Sequence, residues 1–387
     1  VLVATLSLVA RRGGTAPAVP EAFRPLYAEL ARHLDALDRL LARRPAAPGA
    51  PVTFAAELLP ANGNRGPQLL SAQAWPGTLL YLDRLQAMGL GGVTVQMPYP
   101  LLEPGFPRSE EYWAFYERLG PEVRRRGLKL LVKNGPVFPD PEVSPVAPDY
   151  SRLSWDDYFA ARTRLARRVA AQIAPDYLSI GNEPSTEMKV LGKTGFTEER
   201  YVRYVDDTLR GLRRGNTLVG AGAGNWDRPS FIARLSRETS LDYVDLHVYP
   251  LAGPAADYMA RASQMADLAR RSGKRVIVGE TWLYKASPRE LTGAPIHVEA
   301  FGRDTFSFWA ALDQRMLRLM ARFARLHGVE YLSAFWSKYF FAYLEHAAHP
   351  GLAAGALLRE ADRAAAAAIV AGRLSPTGTV YAEVARR

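Results

Sequence analysis

Residues 178–186 read LSIGNEPST, an apolar run that ends abruptly in an amide, an acid and a proline. Such a run predicts a buried strand that carries Asn182 and Glu183 to its tip. RVIVGET (275–281) repeats the pattern with Glu280. Burying an ionised acid without a partner is costly, so acids that close apolar strands are usually paired or functional.

Outward from these two stretches the chain keeps one rhythm, short apolar or β-branched runs alternating with amphipathic helical stretches. The expected strands are 52–58, 91–97, 128–134, 177–183, 217–224, 241–249, 275–281 and 330–336. Helical spacing fills 76–88, 109–126, 155–173, 197–213, 255–272 and 309–327, and LSPTGTVYAEVARR supplies a closing helix. Eight β-α units predict an α/β fold, a (β/α)8 TIM barrel, spanning residues 51–387. A doubly wound sheet would carry a Gly-rich phosphate turn after its first strand, and AELLPANGNRG (56–66) is no such turn. GAGAGN (220–225) lacks the G-x-G-x-x-G spacing and reads as a strand end with small residues for close packing.

Ahead of the barrel, residues 21–50 read as a helix and a linker. Phe23, Leu26, Tyr27, Leu30, Leu34, Leu37 and Leu41 recur at helical spacing before PAAPGAP (45–51) breaks the pattern. Residues 1–20 hold the apolar run VLVATLSLVA, then Arg11, Arg12 and a small-x-small Ala16-Pro17-Ala18. This segment is read as the remnant of a signal peptide or membrane anchor, with a first buried segment as the other reading. An exported protein, secreted or held at the cell envelope, is the corresponding expectation, with membrane association through this segment allowed.

The formal charge of +10 raises the question of a nucleic-acid partner. The basic residues are nearly all arginines scattered over helical stretches such as VRRRGLK, which reads as solvated helix faces. No nucleic-acid partner is expected. The absence of cysteine excludes disulfides, thiolate metal sites and a cysteine nucleophile. Six histidines without a ligand array, His346 and His349 near Glu345 being a weak pattern, predict no metal. No cofactor is expected either, and the chain is expected to be a monomer.

Barrel active sites lie at the C-terminal ends of the strands. Those positions hold Glu57; Gln96 and Tyr99; Lys133 and Asn134; Asn182 and Glu183; Asn225 and Trp226; His247 and Tyr249; Glu280 and Trp282; and Trp336 and Lys338. SIGNEPS on the fourth strand and VIVGETW on the seventh resemble the signature of the clan A glycoside hydrolases, the retaining superfamily of cellulases, mannanases and galactanases. The resemblance implies Glu183 as general acid/base, Glu280 as nucleophile and Asn182 as the amide that reads the sugar 2-hydroxyl. It further implies that His247 or Tyr249, in LHVYP, orients the nucleophile and that Trp336 floors the sugar being cleaved. The second strand departs from many relatives with Gln96-Met97-Pro98 in place of an arginine. The third departs with Lys133-Asn134 in place of a histidine, so the sugar and the family within the clan stay open.

The expected function is a retaining glycoside hydrolase acting on β-linked poly- or oligosaccharide. Substrate-binding candidates are Asn182, His247, Tyr249, Trp336, Asn134, Trp226, Trp282, Lys133, Gln96 and Glu57. Structural readings stand beside several of these: an ion pair for Glu57, core or rim packing for Trp226, Trp282 and Tyr339, and buried ion pairs for Lys133 and Lys338. Two other functions compete: a carbohydrate-binding or cell-envelope protein whose catalysis has lapsed, and a lyase or aldolase using Lys133 in a Schiff base.

Overall fold

Eight parallel strands close on one another in chain order, β1 beside β2 and so on around to β8 beside β1. A computed structural model describes residues 18–43, 51–138, 144–249, 255–287, 290 and 298–387. The strands are β1 Thr53–Glu57, β2 Gly92–Gln96, β3 Lys129–Lys133, β4 Tyr177–Ser179, β5 Leu218–Gly224, β6 Tyr243–Val248, β7 Arg275–Thr281 and β8 Val329–Ala334. Around them run α2 Ala74–Ala87, α3 Ser109–Arg125, α4 Trp155–Arg168, α5 Pro184–Val190, α6 Glu198–Arg210, α7 Pro229–Glu238 and α8 Ala255–Arg271. The chain then adds α9 Val298–Arg303, α10 Ala310–His327, α11 Ala354–Val370 and α12 Pro376–Ala385. The fold is the (β/α)8 barrel that the rhythm predicts. Each strand is buried on both faces, which is why it reads as a continuous apolar run.

Side chains alternate along a strand, so every second residue enters the lumen. Ala55, Leu131, Tyr177, Tyr243, Ile277 and Tyr331 pack there as one layer, with Tyr177 against both Tyr243 and Tyr331. Two residues further toward the C-terminal ends the same parity delivers Glu57, Lys133, Ser179, Asp245 and Ser333, and two beyond Asp245 comes His247. Strict alternation would turn Glu280 outward, since Ile277 faces the lumen. A bulge prevents this: Leu246 pairs with Val278 and His247 with Glu280, leaving Gly279 as an extra residue on β7. The bulge re-aims Glu280 into the lumen. Its glycine is dictated by crowding, because a Cβ on Gly279 would sit 2.3 Å from Asp245 Oδ1.

Strand ends fall short of expectation at β8, which stops at Ala334, and most at β4. β4 ends at Ser179, and Asn182 and Glu183 lie past it in the turn into α5. Pro184 is the first residue of α5, where its missing N–H and fixed φ cost nothing, and it ends the extended run early. Serine or threonine caps three helices from the expected places: Ser154 accepts from Asp157 N, Thr197 from Arg200 N and Ser375 from Gly378 N.

The N-terminal helix α1, Arg24–Ala42, packs on α8 and α10. Leu30, Leu34, Leu37 and Leu41 are buried along one stripe, while Asp35 and Asp38 pair outside with Arg315 and Arg322. Leu34→Ala is expected to cost about 2–5 kcal/mol. Denaturant unfolding checks this, and an unchanged midpoint would make α1 a detachable appendage. The leader-like segment lies almost wholly outside the described residues. Among those residues no helix is long and apolar enough to cross a membrane.

Candidate active site

The platform beneath the site is set by an arginine. Arg162, on α4 and fully buried, donates to the backbone carbonyls of Asn134 and Ile180, just past the ends of β3 and β4. Its other amino group meets Glu187 on α5 and the Tyr158 hydroxyl, and Tyr204 donates to Ile180 O at 2.7 Å. These bonds lock the two strand ends and α5 together, and so place Glu183, the residue that opens α5. Arg162→Leu would leave the Glu187 carboxylate buried without its cation, at an expected cost of about 3–5 kcal/mol. Chemical denaturation measures it; a loss below about 1 kcal/mol would contradict the role.

Glu183, His247 and Glu280 converge above this platform. One carboxylate oxygen from each glutamate and one imidazole nitrogen lie within 4.8 Å of one another. His247 Nδ1 stands 2.5 Å from Glu183 Oε1 and 3.6 Å from Glu280 Oε2. The Asn182 amide donates to Nε2 at 3.1 Å, which leaves the ring proton on Nδ1, where it is donated to Glu183. Burial lowers the His247 pKa, but the two glutamates outweigh it and the net direction is upward.

Glu280 is held by two donors, the Lys133 ammonium on Oε2 and the Tyr249 hydroxyl on Oε1. Burial alone would raise its pKa. Lys133 first and His247 second reverse that and keep the carboxyl below the usual carboxylate range, hence ionised. Lys133 is likewise opposed by burial, yet Glu280 and Glu57 raise its pKa above the ordinary lysine value. Tyr249 is fixed in turn. Its ring stacks on Tyr284 at 4.9 Å, and the Asn225 side chain grips both its carbonyl (2.8 Å) and its N–H (3.1 Å).

Besides Arg162, one residue of this site escapes a reading confined to strand ends. Asp245 lies one layer below His247 and accepts from Ser179 Oγ at 2.5 Å and from Gly279 N at 2.9 Å. It thereby fastens the bulge that aims Glu280. Burial raises its pKa, opposed first by His247. The available signal was Asp-x-His in VDLHV, two polar residues at lumen parity inside an apolar strand.

The remaining candidates divide. Glu57 is buried in the same end of the barrel, taking a hydrogen bond from Asn62. Trp336, two residues past β8, and Trp226, beside Tyr249, are half-buried. Gln96 is half-buried at the end of β2 and lies over Gly135. Asn134 is fully buried with its amide on Met97 O, so it serves the barrel wall. Trp282 is 1% exposed, its ring stacked on Tyr339 and edge-on to Phe340. As a platform for a sugar ring it is corrected: packing within the core leaves it no free face. Lys338 pairs with Asp362 at 2.8 Å. His346 packs edge-on against Phe23 and Phe306 at the start of α1. Among the described residues, Glu183, His247 and Glu280 are the set of acids and histidines near enough to share a metal ion. The Lys133 ammonium already supplies a positive charge to Glu280 there.

No protein-family model matches the chain, and no curated protein matches it. Solved structures do. An exo-β-1,4-mannosidase from Opitutaceae bacterium strain TAV5 superposes with a TM-score of 0.50 at 16% identity, over 89% of this chain and 60% of that one. The cellulose synthase subunit Z of Clostridioides difficile gives 0.50 at 12% identity, over 74% and 92%. An endo-β-1,4-glucanase from Xanthomonas axonopodis pv. citri gives 0.49 at 11%, over 79% and 89%. Two of these three are named as enzymes of β-1,4 linkages, a mannosidase and a glucanase. This chain shares their fold. At these identities the likeness is one of architecture, and the chemistry has to be argued from the side chains.

Proposed function

We propose that the protein is a retaining glycoside hydrolase that cleaves β-linked sugars by double displacement. The observation that carries this reading is that one carboxylate oxygen of Glu183 and one of Glu280 lie within 4.8 Å of each other, facing one site. Retention calls for carboxyl groups about 5–5.5 Å apart, whereas inversion needs about 6.5–9.5 Å to admit a water between them.

The roles follow from surroundings. Glu280 is ionised, held by Lys133 and Tyr249, and attacks the anomeric carbon. Glu183, more open to the cleft, gives a proton to the departing oxygen. The glycosyl-enzyme ester then forms on Glu280, and its negative charge disappears. Water attacks that ester as Glu183 takes a proton from it, restoring both residues. Asn182 offers an uncharged donor beside Glu183, suited to a sugar hydroxyl whose hydrogen bond tightens in the transition state.

Lys133 as a Schiff-base residue is disfavoured, since a nucleophilic amine must be free of its proton and this one is held as an ammonium against Glu280. The test is a screen of the purified protein against aryl β-glycosides and β-linked polysaccharides, with Glu280→Gln as control. Turnover by the wild type and none by the variant supports the reading. Sugar binding without turnover by the wild type would favour a lapsed, binding-only barrel.

A further inference from the structure

Glu57 stands at the same end of the barrel with no part in the chemistry above. Lumen parity sends it up from β1, and its side chain is 2% exposed. Its Oε1 accepts from Asn62 Nδ2, and Asn62 is braced in turn, its Oδ1 accepting from the Asn64 backbone N–H at 2.8 Å and from the Asn64 side chain at 3.1 Å. Glu57 Oε2 has no protein partner. On the neighbouring strand end, the Trp336 indole N–H is also buried and unpartnered. The two strand ends are tied together, because Ser337, next to Trp336, donates to the Glu57 backbone carbonyl at 2.6 Å while sharing a hydrogen bond with Tyr81. Leaving such groups buried and unpaired is costly unless a ligand completes them.

The charges at this corner narrow the class of ligand. Lys133 is engaged by Glu280, and Lys338 pairs with Asp362, which Arg65 also approaches at 3.8 Å. A sugar carboxylate would have to displace one of these carboxylates. An uncharged sugar hydroxyl, which both donates and accepts, matches an open carboxyl oxygen and an open N–H on neighbouring strand ends.

We propose that Glu57 is a substrate-recognition residue whose free oxygen bonds a hydroxyl of an uncharged sugar seated against Trp336, in the same pocket as the nucleophile. The inference rests on the glycosidase reading and names the sugar class that reading leaves open. Burial pushes the Glu57 carboxyl up to about 8, against the pull of Lys133 on β3, the Asn62 hydrogen bond and Arg65 in the following loop, and with the push of Glu280 on β7. At neutral pH it therefore carries a proton. With Oε1 occupied by the Asn62 donor, that proton belongs on Oε2 and points to the sugar oxygen.

The experiment pairs protein and substrate changes. Aryl β-glycosides of the best neutral sugar, its series of single-deoxy forms and its uronide are assayed with wild type, Glu57→Ala and Glu57→Gln. One deoxy form altered at a position other than 2 is expected to lose about 10–100-fold in kcat/KM with wild type. In Glu57→Ala that penalty should fall to about twofold or less, and Glu57→Gln, which keeps a donor, should retain most of it. The uronide should be the poorest of the series. A deoxy pattern unchanged in Glu57→Ala, or a uronide preferred over the neutral sugar, overturns the proposal while leaving the glycosidase reading intact. A wild type inactive on every glycoside removes both. Should the alanine variant not fold, Glu57→Met fills the same volume without a hydrogen bond and carries the same expectation.

Discussion

Glu280→Ala is expected to abolish turnover of every substrate, by about 10⁴–10⁶-fold in kcat, the scale of removing a catalytic nucleophile. No glycosyl-enzyme can form without that carboxylate. Glu183→Ala should behave differently, failing most with poor leaving groups, because an activated phenol departs without a proton. Azide separates the two roles by stereochemistry. In the Glu183 variant it attacks the glycosyl-enzyme in place of base-activated water and yields the β-glycosyl azide. In the Glu280 variant it enters from the face the nucleophile has vacated and yields the α-azide. Reversed products would exchange the two assignments, and full activity in both variants would remove the site.

Lys133→Met carries the second large effect. Burial drives Glu280 toward its neutral form, and Lys133 is the foremost group opposing that. Without the ammonium the Glu280 pKa rises, so the acidic limb of kcat/KM should move to higher pH. At neutral pH the rate should fall about 10²–10³-fold, the scale of losing one preorganised electrostatic contact. Stability should change in a linked way. A depressed Glu280 pKa stabilises the fold above the ordinary carboxylate range, and this is lost as pH falls through the folded value. The raised Lys133 pKa stabilises below the ordinary lysine value, and this is lost as pH climbs through its folded pKa. Removing one partner of so buried a pair should cost about 3–5 kcal/mol at neutral pH. A pH–rate profile and a denaturant series on the same variant check both. An unmoved acidic limb would show that another group keeps Glu280 charged.

These two residues illustrate what could be read without coordinates. Parallel strands buried on both faces write themselves as apolar runs, so the barrel and its eight strands were legible. Glu183 and Glu280 stood out because an acid rarely closes such a run. How Glu280 reaches the lumen was not legible. Alternation alone turns it away, and only the pairing of β6 with β7 reveals the bulge at Gly279. Asp245, which pins that bulge, is hidden inside a strand, one layer below the polar residues at its end. Arg162 was hidden by abundance, one more arginine in a helix full of them, although it is the one that ties Asn134 and Ile180 together. The pairing of Lys133 with Glu280 joins residues 147 positions apart, and nothing local announces it. Trp282 shows the converse: a strand-end aromatic on paper, it turns into the core because Tyr339 and Phe340 offer it a packed face.

The central claim is that two carboxylates lying this close act from opposite faces of one sugar, so that the anomeric configuration is kept. The most direct test is proton NMR of the hydrolysis of an aryl β-glycoside, recorded before the released sugar can mutarotate. The β-hemiacetal is expected to appear first, with the α-anomer growing in later. First appearance of the α-anomer would mean inversion by a single displacement, and would contradict the nucleophilic role given to Glu280.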